Sequence, residues 1–85
     1  MSKYRYISDP GHGWLEVGVD ELIALGIGDK ISSFSYQKGS KAYLEEDCDM
    51  SLFINEMRKY GKPVELEDVY EDSTEIRNMD YFNFS

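Results

Sequence analysis

The chain holds one cysteine, one histidine, one tryptophan and two prolines in 85 residues. A single cysteine excludes an internal disulfide and fits a reducing compartment. One histidine beside one cysteine leaves too few nitrogen and sulfur ligands for a zinc site. No apolar run approaches the ~18 residues a membrane helix needs, and MSKYRYIS lacks the apolar core of a signal peptide. Gly11 and Gly13 give GxG, but no third glycine follows on a helix, so the dinucleotide fingerprint is absent, as is the phosphate loop. The second half is poor in bases. Residues 45–85 hold twelve acids against four bases, whereas residues 1–44 hold five of each. The whole net charge of −8 therefore sits in the second half. That asymmetry argues against direct nucleic-acid or anionic-membrane binding and favours a cationic partner.

What is present is a globular composition, 41% hydrophobic and 14% aromatic, so the expectation is a single domain over residues 1–85 with one modest core. Lys3 to Ser8 alternates as a strand, with Tyr4 and Tyr6 on one side and Arg5 and Ile7 on the other. Asp9-Pro10-Gly11-His12-Gly13 is a turn, and Trp14 to Val17 returns as its hairpin partner. A short helix follows from Val19 to Leu25. Its expected buried stripe is Val19, Leu22 and Ile23, and Gly26 is its left-handed C-cap. Lys30 to Tyr36 reads as a third strand, with a bulge near Ser32-Ser33. Gln37 to Ser40 turns the chain into a fourth strand, Lys41 to Glu45.

The best helix follows. Met50, Phe53, Ile54 and Met57 recur at the spacing of a buried face. Asp49 or Ser51 is its expected cap, and Gly61 with Pro63 ends it. Val64 to Tyr70 reads as a fifth strand at a sheet edge. Ser73 or Thr74 is placed to cap a short turn through Ile76 and Met79, and Tyr81, Phe82 and Phe84 to dock on the body or on a partner. The expected fold is α+β: a small twisted antiparallel sheet of four to five strands, order ββαββαβ, with one main helix packed on a face.

The densest chemistry is carboxylate. Glu45, Glu46, Asp47 and Asp49 form one cluster, and Glu65, Glu67, Asp68, Glu71, Asp72 and Glu75 form another. Burying so many like charges is prohibitive, so both clusters are expected in solvent. Carboxylates at i and i+2 of a strand stand about 6.6 Å apart, a spacing on the scale of phosphates along a nucleic-acid strand. A rigid surface of this kind suits a basic groove. The plainer alternative is a solvated face that confers only solubility. Counting from Asp47, a calcium loop would need Gly at the sixth position and Glu at the twelfth, where Leu52 and Arg58 stand. No metal or other cofactor is therefore expected.

Cys48 lies among acids, which disfavours its thiolate. It reads as a small, partly buried packing residue. His12 sits in a turn, with no nucleophile or orienting group evident. No catalytic residue emerges, and the chain does not read as an enzyme. The aromatic residues Tyr4, Tyr6, Trp14, Phe34, Tyr36 and Tyr43 all fall on expected strands and read chiefly as core. A tyrosine exposed beside carboxylates suits a protein interface.

The stretches SDPGHGWLEV, LGIGDKIS-FSY and AYLEEDCD resemble short proteins carried by bacteriophages and plasmids, over roughly residues 7–54. The resemblance carries no catalytic residues. It implies a bacterial host cytosol and, within that setting, anti-defence inhibitors of the anti-CRISPR or anti-restriction kind, which bind a basic nucleic-acid groove. The expectation is a stoichiometric inhibitor of a bacterial nucleic-acid-processing or defence complex. Charge would come from Glu45, Glu46, Asp47, Asp49, Glu65, Glu67, Asp68, Glu71 and Asp72, and anchoring contacts from Tyr43 or Tyr70. The alternative is an accessory subunit or small homodimer whose acids serve only solubility.

Overall fold

In a computed structural model, which describes residues 2–72 and 74–83, the chain opens with two strands, β1 (Ser2–Ser8) and β2 (Gly13–Gly18). They pair antiparallel, with Tyr6 opposite Leu15 and Ser8 opposite Gly13. The turn between them is built by Asp9. Its Oδ1 accepts from the backbone N–H of Gly11 at 2.9 Å and of His12 at 2.8 Å, an arrangement a short carboxylate favours.

Helix α1 (Val19–Ala24) follows directly. Glu21 accepts the Gly18 N–H at 2.9 Å, which satisfies one of the donors a helix start leaves free, and it also accepts from the Tyr4 hydroxyl. Gly26 adopts φ +73°, and the Ile27 N–H reaches back to the Leu22 carbonyl at 3.0 Å. This is the expected left-handed cap, and Ile27 joins Leu22 in the core. Of the expected stripe, Leu22 is buried and Val19 packs against the core, but Ile23 is 57% exposed.

The expected strand from Lys30 does not form. A 3₁₀ turn covers Gly28–Lys30, and β3 is confined to Tyr36–Lys38. The segment between them is held by Asp49, which accepts from the Ser32 N–H, the Ser32 hydroxyl at 2.7 Å and the Ser35 hydroxyl. Serines bonded in this way leave the ladder. Gly39, at φ +60°, then turns the chain into β4 (Lys41–Glu45), with Lys38 opposite Lys41.

Helix α2 (Met50–Lys59) buries Phe53 and Met57 and packs Met50 and Ile54 beside them. It ends where Gly61 takes φ +70°. Crossing the sheet, it returns the chain to the end from which β4 started. The next strand, β5 (Val64–Tyr70), therefore runs parallel to β1, with Arg5 opposite Glu67 and Tyr6 opposite Asp68. A second 3₁₀ turn, Glu75–Asn78, leads to β6 (Asp80–Tyr81), which pairs with β3.

The fold is α+β, with a mixed sheet of six strands in the order β5-β1-β2-β4-β3-β6. The expected order ββαββαβ holds from β1 to β5. The expected four or five antiparallel strands are corrected in number by β6 and in direction by β5. Both faces of the sheet are covered. One carries α1, α2 and the larger core around Leu15, Leu44 and Phe53. The other carries Ile7, Trp14 and Tyr43 under Ile76 of the C-terminal segment. Thr74 precedes that turn without a side-chain cap bond. Phe82 docks in the larger core, Tyr81 stays exposed, and Ser73 and Phe84 lie outside the described residues. No helix of the described residues is long and apolar enough to cross a membrane.

Candidate functional site

The two acidic segments meet at Tyr6. β1 aims this side chain to the face that carries α2, where Asp68 of β5 is its lateral neighbour. The Tyr6 hydroxyl donates to Glu46, in the loop after β4. Glu46 is fixed in turn by its own N–H, which donates to the Gly13 carbonyl at 3.0 Å. The ring has room because residue 13 is glycine: a Cβ there would strike the phenol. Burial, the bond to Glu46 and the charges of Glu46, Asp68 and Asp47 raise the Tyr6 pKa well above the tyrosine range. The phenol stays protonated and acts as a fixed donor. The corner therefore joins Glu46, Asp47 and Asp68 in one negative field, and all three are exposed.

The other expected site residues divide by environment. Glu65 and Glu67 are exposed on β5 but stand opposite Lys3 and Arg5 of β1, on the face away from Tyr6. Their field is partly compensated. Glu71 is exposed, and its N–H donates to the Ser8 carbonyl at 2.9 Å. Its side chain lines a groove with Glu16, Glu75 and Arg5, away from the corner. Asp72 is exposed just beyond. Glu45 is half-buried and accepts the Asp47 N–H at 3.0 Å. Tyr70 is 62% exposed at the end of β5.

Two expected site residues are interior. Asp49 is 3% exposed. It does not cap α2 through its side chain and is occupied by Ser32 and Ser35. The expectation that every acid of the 45–49 cluster faces solvent fails here, because four internal donor contacts replace water. Tyr43 is buried under the C-terminal segment, and its hydroxyl donates to Glu16 at 3.0 Å. Burial first, then that bond, pushes its pKa up to about 12.

Cys48 is exposed, contrary to the packing role expected of it. A bond to Glu45, and then the surrounding carboxylates, raise its pKa, so the thiol persists and is a weak nucleophile. His12 lines the same groove as Cys48. Among the described residues, no group of three or more His, Cys, Asp or Glu side chains is placed to hold a metal ion. Comparison with family models, curated proteins and solved structures returned no match.

Sequence reasoning assigned Tyr6 to the core and missed it as the meeting point. The signal was there in outline: a tyrosine and Gly13 flanking one hairpin, and two acid runs needing a common neighbour. It also missed the pair of Asp9 and Arg77, with Nε to Oδ2 at 2.9 Å.

Proposed function

We propose that the protein is a stoichiometric binding protein that docks its acidic corner on a basic surface. In the bacterial setting implied by the resemblance, that surface is the nucleic-acid groove of a processing or defence complex, and docking inhibits it. The observation that carries this reading is the convergence of Glu46, Asp47 and Asp68 around one phenol held as a donor. Carboxylates from segments about twenty residues apart are fixed on a sheet and loop rather than scattered over flexible chain. Preformed charge of this kind steers a cationic partner and needs little ordering on contact. Tyr70, exposed two residues after Asp68 on β5, serves as the anchor, and Asp72, exposed after the strand, adds charge. Asp49 and Tyr43 have no part in the contact.

A second reading has one observation in its favour. β5 is an open edge strand with Leu66 and Tyr70 exposed, a surface on which another strand could pair. Glu65, Glu67 and Asp68 on the same strand oppose two copies pairing there, since like charges would meet.

The test uses the tagged protein and its E46K/D68K variant in a bacterial lysate. The expected result is capture of a nucleic-acid-binding complex, released by high salt and by competing duplex DNA, and lost in the variant. Equal capture by a folded variant removes the corner from the account. A salt-resistant dimer that captures nothing supports the edge-strand reading.

A further inference from the structure

On the face opposite α2, a groove of about 360 Å³ opens beside the acidic corner. Its floor is Trp14, only 2% exposed, which meets His12 edge-on at 6.0 Å and Tyr36 edge-on at 6.3 Å. The indole Nε1 is buried with no acceptor among the described residues. One lip is Phe34, 66% exposed. This ring stands in solvent on a loop that Asp49 ties down at Ser32 and Ser35, so its exposure is built in rather than a product of a slack segment. The rim adds Glu45 and Asp47.

The charges decide what such a groove accepts. Arg77 already lays its guanidinium 5.3 Å from the Trp14 centroid, so this ring tolerates a cation on its face. That charge is matched by Asp9, which takes it through two bonds of 2.9 and 3.1 Å. Glu45 and Asp47 have no such match among the ion pairs of the described residues. An anion would meet two carboxylates, and a neutral ring would strip water from them without return. Aromatic walls with unmatched carboxylates at the rim are the chemistry that holds an alkylammonium group.

We propose that this groove is a lysine-binding notch: it takes the ammonium-bearing side chain of a lysine from the docked partner, with Phe34 and Trp14 against its methylenes and Asp47 and Glu45 on its charge. The identity of the donor rests on the binding function proposed above. The groove's preference for an alkylammonium does not. Asp47 belongs to both surfaces, so the notch extends the corner around the sheet end.

The experiment follows the indole N–H resonance of Trp14, the sole tryptophan, while the full chain is titrated at constant ionic strength. The ligands are N-acetyl-lysine methylamide, choline, and 3,3-dimethylbutanol, the neutral shape-match of choline. The expected result is saturable movement of the Trp14 signal with both cations at millimolar concentration. The neutral alcohol should bind about tenfold more weakly, and Asp47→Asn and Phe34→Ala should each weaken the cations several-fold while leaving the remaining spectrum dispersed. Equal binding of choline and the alcohol overturns the charge selection. Binding of choline without the lysine amide overturns lysine as the occupant. No movement of Trp14 overturns the site. E46K/D68K, which spares the groove, should still bind choline. Loss of partner capture in that variant with choline binding intact therefore reports on the corner alone, and failure of the titration reports on the notch alone.

Discussion

Asp49 shows how one side chain can reverse its expected role. Its position in an acidic run and before a helix suggested a solvated charge or a cap. Buried, it instead gathers the donors of Ser32 and Ser35, and Ser35 Oγ accepts the Glu45 N–H at 2.9 Å. Loop, strand end and helix start share one carboxylate. Removing it leaves buried donors unmatched, which costs on the order of 1–3 kcal/mol each. Asp49→Ala should therefore lower stability by roughly 3 kcal/mol, measured by urea unfolding, whereas Asp47→Ala, exposed two residues earlier, should change it by less than about 0.5 kcal/mol. Equal effects would mean that the Ser32–Ser35 loop is not held by Asp49.

At the scale of elements, α2 does most to set the architecture. Its apolar spacing was legible because a periodic face over ten residues outweighs local ambiguity. Phe53 is fully buried and meets Tyr4 edge-on at 5.3 Å. Phe53→Ala should cost roughly 3–5 kcal/mol by the cavity it opens, a large part of the stability of a small domain. Ile54→Ala, half-buried one residue on, should cost clearly less. Thermal unfolding of the two variants would check this, and similar losses would mean that α2 packs in another rotation. The strand expected from Lys30 was illegible for the opposite reason. Aromatic and β-branched residues favour a strand there, but a carboxylate from fourteen to seventeen residues away claims the serines between them. The stripe of α1 failed at Ile23 because six residues give pattern too little to work on.

Over the whole molecule, the pair of Asp9 and Arg77 joins the first hairpin to the C-terminal segment across 68 residues. Arg77 first, and then the backbone donors of His12 and Gly11, hold the Asp9 carboxyl well below the usual carboxylate range. A depressed folded-state pKa contributes stability that is present above the unfolded value and lost as pH falls through the folded value. The contribution should thus be whole above about pH 4 and fade below it. Asp9→Asn should be less stable than the parent at neutral pH, and the gap between the two should close on acidification below about pH 3. Denaturant midpoints across that range would show it, and a gap unchanged with pH would place the cause in the turn geometry instead. The uneven charge of the chain has its consequence at this scale too. The twelve acids after residue 44 are divided by the sheet, some facing Lys3 and Arg5 and others gathering at Tyr6.

The hairpins and the two helices with their glycine stops were determined by the sequence itself, because each depends on neighbours within a few residues. The acidity of the second half was equally plain. Tertiary structure alone decided that β5 runs parallel beside β1, that a sixth strand closes the other edge, that Asp49 and Tyr43 are interior, and that Glu46, Asp47 and Asp68 share one phenol. Those outcomes depend on which distant groups meet and on whether a polar atom finds a partner there before it is buried. No periodicity along the chain encodes that.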